Sequence, residues 1–347
     1  MKLYRLLTAG LLMLPGIAMA DFLTAGRPVN PDKSFSLRAT VGKVSDISGG
    51  VTETTRRLFE LEGRDPSTFD PESYTFEELG IEDSDMTFGL AMEKNWKFFT
   101  FRADLSYMRA SASGVPPRDF FIGVSDIKYK GKSYEYMKLE DGIPYDASID
   151  AALFDLRLEY TPFTLAEEYT ISFTPIVHLG LFGLAGTFEV DQGEPQRIQI
   201  YENPPREYVV GGHGEGTVGG VIPEIGIGGE FRFWFGENNY GARELAVQGS
   251  YGFLKYKGSS DALGISSRNE KDLDIDCDKI ELRATFYLPI SEATDFLVGA
   301  EYKAISTDAS SKSKAENLEE AQKNREKWDK DITFDLTIVN VFAGLRF

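Results

Sequence analysis

The sequence predicts an all-β fold, a closed antiparallel transmembrane β-barrel of about ten strands with long loops at one end and short turns at the other. Three observations lead to this prediction. The chain begins with a short apolar leader, no later stretch is apolar enough for a spanning helix, and segments of about ten residues alternate between apolar and polar side chains. Besides helices, only closed barrels satisfy every backbone group inside a bilayer.

The first twenty residues have the pattern of a secretory signal peptide. Lys2 and Arg5 precede an apolar run from Leu6 to about Pro15, and small residues lead to Ala20. A short apolar run followed by small residues is typical of a leader that is cleaved during secretion. We therefore expect the mature chain to begin after Ala20.

Beyond the leader, ten segments carry apolar side chains at every second position. Such alternation is typical of barrel strands that turn one face to lipid and the other to the lumen. The predicted strands span residues 34–45, 84–93, 98–111, 150–161, 169–188, 217–235, 243–257, 277–289, 295–307 and 332–347. The long connections between them are residues 46–82, 112–148, 189–215, 258–276 and 308–331. Long and short connections alternate, so we expect all long loops on one side of the membrane.

Two of the long connections contain hairpin patterns of their own. One hairpin is centred on residues 129–134, and the other joins residues 198–201 to residues 207–210. If either hairpin crosses the membrane, the strand count becomes twelve. Residues 315–328 instead show helical spacing of apolar side chains.

The last strand reads ITFDLTIVNVFAGLRF and places Val341, Ala343, Leu345 and Phe347 on one face. A closing amphipathic strand that ends in an aromatic residue resembles the assembly signal of Gram-negative outer-membrane barrels. The resemblance implies an outer-membrane location, with the barrel-assembly machinery, membrane lipid and lipopolysaccharide as partners. On this interpretation residues 1–20 are the signal peptide, 21–33 a periplasmic N-terminal segment and 34–347 the barrel.

Charge and cysteine content exclude several other classes. The formal charge of −18 becomes −20 once Lys2 and Arg5 are removed, which argues against a nucleic-acid partner. The five long loops carry net charges of −7, −1, −4, −4 and −1, with the fourth counted to Asp278. An acidic surface of this kind attracts divalent cations or basic partners, although no surface ligand can be named. Cys277 is the only cysteine, so no intramolecular disulfide forms.

The polar face of the predicted strands defines the lumen. It carries eight basic and seven acidic residues, namely Arg38, Arg102, Asp104, Asp155, Arg157, Glu159, Glu224, Glu230, Arg232, Lys279, Glu281, Arg283, Glu301, Lys303 and Arg346. Charges of both signs should pair in so narrow a space, because an unpaired buried charge is costly. Since eight strands already leave an interior just filled by side chains, we expect a plugged or very narrow lumen.

A candidate cation site is the run of Asp272, Asp274, Asp276 and Asp278. On a strand these four carboxylates share one face, and carboxylate oxygens suit Ca²⁺. The run does not match an EF-hand loop, because Cys277 stands at the glycine position. The alternative is a charged strand without a cofactor, and no other cofactor is expected.

Ten strands and five long loops also resemble the omptin surface proteases. That resemblance implies a site in which two acids face an Asp-His couple, and Asp83-Ser-Asp85 matches the first half. The second half is missing, because Gly211 lies two positions before His213 and Ile176 lies two positions before His178. No standard catalytic triad is predicted from two histidines.

The leading functional prediction is therefore a non-enzymatic outer-membrane barrel, either structural or surface-binding through acidic external loops. A narrow porin-like pore for small solutes is the alternative, and an omptin-like hydrolase comes third.

Overall fold

The computed structural model describes residues 23–27, 33–54, 72–81, 83, 85–167, 171–202, 205–259, 271–313 and 329–347. The predicted signal peptide and the helical pattern at 315–328 lie outside these residues. Within the described ranges the chain forms seventeen strands: β1 (Leu23–Ala25), β2 (Phe35–Thr54), β3 (Glu72–Thr75), β4 (Thr87–Asn95), β5 (Phe99–Gly114), β6 (Phe120–Tyr129), β7 (Lys132–Leu139), β8 (Tyr145–Tyr160), β9 (Phe163–Glu167), β10 (Ile171–Asp191), β11 (Arg197–Glu202), β12 (Pro205–Val210), β13 (His213–Asn238), β14 (Gly241–Ser259), β15 (Lys271–Ser291), β16 (Thr294–Ser313) and β17 (Asp329–Arg346). No helix in this part of the chain is long and apolar enough to cross a bilayer.

Ten of these strands close into one antiparallel barrel. The ring runs β2-β4-β5-β8-β10-β13-β14-β15-β16-β17 and closes where β17 pairs with β2, with Val341 opposite Val41. The ten-strand prediction is confirmed, and the twelve-strand alternative is wrong. We call the end of the barrel with short connections the turn end and the opposite end the loop end.

A belt of exposed apolar side chains surrounds the barrel from the turn end to about half its height. The belt includes Leu37, Val41, Phe88, Leu90, Leu105, Leu156, Leu158, Leu179, Ile225, Ile227, Phe231, Leu282, Val298, Val339, Val341 and Leu345. On β15 it extends from Leu282 to Ile290, which is nine residues. A tilted strand needs roughly 9–11 residues to cross a bilayer, so the belt has the height of a membrane.

Aromatic side chains lie at both edges of the belt. At the turn end the rings of Phe35 and Phe347 are 5.3 Å apart, and the two residues exchange backbone hydrogen bonds of 2.7 Å. At the upper edge the hydroxyl of Tyr107 donates to Asp150. Aromatic side chains are enriched at the two boundaries between water and lipid in membrane barrels, and these residues lie at the two edges of the belt.

Toward the loop end the same strands continue with the opposite polarity. On β15 the outer face changes from apolar residues to the run Asp272–Asp278, while the inner face changes from charged residues to Leu273, Ile275 and Cys277. The inner face of β8 changes in the same way between Asp155 and Leu153. Outside lipid a barrel wall behaves like an ordinary sheet, with apolar side chains inside and polar side chains toward water.

The predicted boundaries between strands and long loops are therefore wrong at most strand ends. The connections predicted at 46–82, 112–148, 189–215, 258–276 and 308–331 lose residues to strands that extend beyond the membrane. The extensions are β2 to Thr54, β5 to Gly114, β8 from Tyr145, β10 to Asp191, β13 from His213, β14 to Ser259, β15 from Lys271, β16 to Ser313 and β17 from Asp329. The prediction ended each strand where its apolar outer face ends, although the alternation itself continues.

A second small sheet lies at the loop end. It consists of the β6–β7 and β11–β12 hairpins, which pair in parallel where Val209 meets Met137. Both predicted hairpins are confirmed, and neither enters the ring. A single register pair between Glu215 and Asp126 links this sheet to β13.

Candidate functional site

The charged interior at the height of the apolar belt is the best-defined candidate site. All fifteen predicted lumen residues lie on inner strand faces, thirteen of them buried, with Asp104 and Arg232 partly buried. Their contacts decide whether the interior is a channel or a packed layer.

Arg157 joins opposite walls of the barrel. From β8, its Nη2 donates to Glu281 Oε2 at 2.7 Å on β15, and its Nη1 donates to Ser250 Oγ at 3.0 Å on β14. In the ring of ten, β8 and β15 are separated by four steps, so this guanidinium crosses most of the lumen. A single arginine side chain is therefore long enough to join two opposing walls of the barrel.

Gln248 on β14 connects two further arginines. Its Oε1 accepts hydrogen bonds from Arg102 and from Arg283, the latter at 2.7 Å, while its Nε2 donates to Glu159 at 2.9 Å. Arg102 also lies 3.0 Å from Glu93 and 3.1 Å from Glu159. The neutral amide of Gln248 supplies both an acceptor and a donor. Its oxygen lies between the two guanidinium groups, so Arg102 and Arg283 share one hydrogen-bond acceptor.

Two lysines complete the crossing contacts. Lys279 Nζ lies 2.7 Å from Asp155 Oδ2, and Lys303 Nζ lies 2.9 Å from Asp104 Oδ2 and 3.4 Å from Asp155. Asp104 and Asp155 are register partners on β5 and β8, so they would repel each other. Lys303 on the far wall sits between them and removes that repulsion.

The N-terminal segment contributes to the turn end of the lumen. β1 pairs with β9, Gly26 N donates to Pro162 O at 2.9 Å, and Arg27 N donates to Lys97 O at 2.7 Å. The Arg27 side chain is buried, with Nη2 3.7 Å from Glu230. The sequence contained no sign of this contact, because an arginine outside an alternating segment belongs to no predicted face.

A second group of ion pairs lies beside Arg27 at the turn end. Arg346 Nε donates to Asp295 Oδ2 at 2.6 Å, and its Nη2 lies 3.1 Å from Glu244 Oε1. Lys33 reaches Asp295 at 2.8 Å, and Arg232 reaches Glu244 at 2.9 Å. Each carboxylate here therefore contacts two cations.

The charges of the described interior balance. Arg27 and Lys33 join the eight predicted bases, and Glu93, Glu244 and Asp295 join the seven predicted acids, which makes ten of each. The three added acids follow the inner parity of β4, β14 and β16, so the sequence pattern could have revealed them. A buried charge without a partner lowers the stability of the fold by roughly several kcal/mol. Equal numbers of bases and acids allow every buried charge to have a partner.

Above the charged layer, an apolar core fills the barrel. It is built from the loop-end halves of the ring strands, from residues that follow β3, and from β6, β7 and β12. Its larger members are Val44, Ile47, Leu79, Ile81, Met108, Ile122, Ile127, Met137, Leu139, Ile149, Phe182, Phe188, Val209, Ile305, Leu336 and Ile338. Cys277 lies in this core, where Thr307 Oγ1 donates to its Sγ at 3.4 Å. The described interior is thus filled by two layers, one charged and one apolar.

The residues that matched the omptin pattern lie at the loop end. Asp83 forms an ion pair with Lys43. His213 begins β13 opposite Asp191 at the end of β10, with Nδ1 3.5 Å from Asp191 Oδ2, and both side chains are about half exposed. A sequence motif does not reveal this contact, because Asp191 comes from the neighbouring strand rather than from a position near His213 in the sequence. His178, by contrast, is buried in the lumen with Nε2 3.6 Å from Glu224.

The four aspartates of the candidate cation site lie in a row on the outer face of β15. Asp274 pairs with Lys257 at 2.8 Å, Asp276 pairs with Lys255, and Asp278 accepts a hydrogen bond from Tyr251. Among the residues that the structure describes, no group of three or more histidine, cysteine or acidic side chains is placed to hold a metal. Ca²⁺ binding stays a prediction, and the row has cross-strand partners of its own.

Comparison with known proteins adds little to the fold. No protein-family model and no curated protein sequence matches the chain. The chain is similar to the outer membrane protease OmpT from Escherichia coli, with 10% identity over 90% of this chain and 96% of that one and a TM-score of 0.36. It is also similar to the transport unit of the autotransporter AIDA-I from Escherichia coli, with 8% identity over 99% of this chain and 96% of that one and a TM-score of 0.31. Likenesses at this level carry no functional argument, so the barrel rests on its own strand pairing.

Proposed function

We propose that this chain is a Gram-negative outer-membrane β-barrel with a closed lumen. It acts without enzymatic chemistry, either as a structural component or by binding partners at the cell surface through its acidic outer face. The observation that carries this proposal is the set of ion pairs that join opposite walls of the barrel. Among those made by arginines, the shortest is Arg157–Glu281 at 2.7 Å.

The crossing ion pairs oppose conduction for an energetic reason. A solute could pass only if pairs such as Lys279–Asp155 and Lys303–Asp104 separated, and separation would leave charges unpaired in a narrow interior. The apolar core above them would have to open as well. Barrels with open aqueous channels generally have about 16–18 strands, and this ring has ten.

The proposed location follows from the belt and from the two chain ends. The exposed apolar belt suits lipid, and the leader suits secretion. Val341, Ala343, Leu345 and Phe347 form the C-terminal face that resembles an assembly signal, so the barrel-assembly machinery is the expected partner during insertion. Membrane lipid and lipopolysaccharide would surround the belt, and the loop end would face the outside of the cell.

Single-channel recording tests the closed lumen against the porin-like alternative. The refolded full chain is inserted into a planar bilayer together with an open general porin, whose conductance reports successful fusion of the same vesicles. We expect the porin steps alone. A steady additional conductance that belongs to this chain would exclude the closed lumen and support a narrow diffusion pore.

A surface hydrolase is a second candidate, and the contact between His213 and Asp191 is the observation that favours it. The test is cleavage of a short basic peptide by the refolded protein, with His213→Gln as the decisive variant and Lys257→Gln as a matched surface control. No cleavage by the unaltered chain is expected. Cleavage that disappears in His213→Gln and persists in Lys257→Gln would replace the non-enzymatic proposal.

A further inference from the structure

Arg27 reaches the lumen from the N-terminal segment, whereas the six predicted lumen arginines stand on ring strands. Just before Arg27, β1 is held to β9 by three register pairs, the first of which joins Leu23 to Leu165. Gly26, with a φ of +75°, then turns the chain so that the Arg27 side chain is buried at the turn end of the lumen. We call residues 23–27 the strap.

Few contacts hold the strap in place. Among the described strands β1 pairs with β9 alone, and β9 pairs with β10 over only three residues. Thr24 and Ala25 are exposed. Segments with few buried contacts open at low free energy. Because none of the described ring strands pairs with β1, the strap can detach while the ring stays closed.

The Arg27 guanidinium is buried but poorly paired. Its Nη2 lies 3.7 Å from Glu230 and 3.8 Å from Glu159, and neither Nε nor Nη2 has a hydrogen-bond acceptor among the described residues. Its Nη1 donates only to neutral groups, Asn95 at 2.9 Å and Thr100 at 3.2 Å. The six other lumen arginines each have a carboxylate within 3.2 Å, namely Arg38, Arg102, Arg157, Arg232, Arg283 and Arg346. Arg27 loses its water without gaining a close ion pair, so its burial stabilises the barrel little.

The two carboxylates beside Arg27 keep other partners when it leaves. Glu230 lies 3.0 Å from Arg232, and Glu159 lies 3.1 Å from Arg102. Oε2 of the fully buried Glu159 nevertheless has no hydrogen-bond donor among the described residues, and this oxygen faces Arg27. Without Arg27, the ten acids of the described interior face nine bases. One excess negative charge beside a carboxylate oxygen without a donor attracts a cation.

We propose that the turn end of the lumen is a binding site for a guanidinium group, and that the strap fills this site with Arg27 until a ligand displaces it. The hydrogen bond from Arg27 N to Lys97 O fixes the strap at 2.7 Å and holds the guanidinium away from both carboxylates. A free guanidinium can approach them to an ordinary ion-pair distance of about 2.8 Å. Access from the periplasm rests on the topology proposed above, whereas the binding itself does not.

The test is calorimetric titration of the refolded full chain in uncharged micelles with methylguanidinium. In the unaltered chain, the attached Arg27 competes with the ligand at an effective concentration of roughly millimolar order. Arg27→Ala removes this competitor and should bind methylguanidinium about tenfold more tightly. Methylurea, which has a similar shape and no charge, should not bind. Titration with the capped peptide Gly-Arg-Gly separates the two sources of a guanidinium, since a site open to a peptide binds both ligands and a site for small compounds binds methylguanidinium alone.

The matched control is Arg118→Ala, which removes an arginine that is 49% exposed and should bind like the unaltered chain. Adding Glu230→Gln to Arg27→Ala removes the excess charge and should abolish binding, while Arg232 keeps Glu244 at 2.9 Å. Equal affinity of Arg27→Ala and the unaltered chain would overturn the proposal, as would equal binding of methylurea.

A second measurement needs no variant. In the unaltered chain, methylguanidinium should displace Arg27 and accelerate cleavage of the strap by proteinase K, and methylurea should not. A cleavage rate that methylguanidinium leaves unchanged would contradict displacement of the strap. Conductance keeps this proposal apart from the closed lumen, because the ion pairs that join opposite walls remain in Arg27→Ala. That variant should stay silent in a planar bilayer, and loss of ligand binding by a silent barrel would refute the guanidinium site alone.

Discussion

Replacing Arg157 with methionine removes the guanidinium that joins β8 to the opposite wall. The Arg157 side chain is 3% exposed, and it lies 2.7 Å from Glu281 and 3.4 Å from Glu224. Arg157→Met leaves both carboxylates buried without this partner. Removal of one member of a buried ion pair costs about 3–5 kcal/mol. The equilibrium constant for unfolding should therefore rise roughly 150- to 5,000-fold.

Urea unfolding in uncharged lipid vesicles, followed by tryptophan fluorescence, measures this change. The matched control is Arg118→Met, because Arg118 lies 2.9 Å from Glu78 but is 49% exposed. An exposed pair contributes about 1 kcal/mol or less, so this variant should unfold close to the unaltered chain. The double variant Arg157→Met and Glu281→Met should cost less than the sum of its single variants, because it leaves neither member of the pair unmatched. If Arg157→Met costs no more than Arg118→Met, the lumen charges are solvated and the reasoning for a closed lumen is refuted.

Three other perturbations test separate parts of the molecule. Cys277 is 6% exposed, so a maleimide should label it only after unfolding, and rapid labelling of the folded protein would show that the apolar core is open. The hydrogen bond from Lys138 holds the pKa of Asp119 below its ordinary value of 3.8. The contact therefore stabilises the β7 region at neutral pH, and this stabilisation is lost as the pH falls below 3.8 and Asp119 becomes protonated. Hydrogen exchange in β7 should accelerate on acidification, and Asp119→Asn should already exchange faster at pH 7 and respond less to acid. A Cβ on Gly26, where φ is +75°, would lie 2.3 Å from Lys97 O. Gly26→Ala should therefore release β1 and make it accessible to protease, while the barrel stays folded. Unchanged protease resistance of the variant would contradict this.

Much of the barrel could be predicted from the sequence because lipid imposes a pattern with period two. The outward positions of Leu282 and Val341 and the inward positions of Arg157 and Lys279 follow directly from that alternation. The closing strand and both loop hairpins were likewise recognised from alternation and turn residues. In these segments each strand has one face in lipid and one in a charged interior, so the residue type indicates the side.

Prediction was less successful where the environment of the strand changes along its length. Leu273, Ile275 and Cys277 alternate with aspartates as regularly as the membrane residues alternate, yet a rule based on an apolar outer face places residues 258–276 in a loop. The polarity of the two faces reverses at about Asp278, and a rule that requires an apolar outer face ends the strand there. The alternation of side chains, without regard to which face is apolar, would have located the strand.

The sequence by itself determined a closed barrel of ten or twelve alternating strands, because closure in lipid requires strands whose backbone groups are all paired. The strand pairing decided that the ring has ten. The alternation also indicated the inward side of fifteen charged residues, although it did not include Arg27, Lys33, Glu93, Glu244 and Asp295. Only the tertiary structure decided how these charges pair, since Arg157 and Glu281 are 124 positions apart and meet across the lumen. The same holds for Arg27 at the turn end and for Asp191 beside His213, because contacts between distant segments depend on strand register and barrel width. A pattern along one strand carries no information about the opposite wall, and the closure of the lumen depends on that wall.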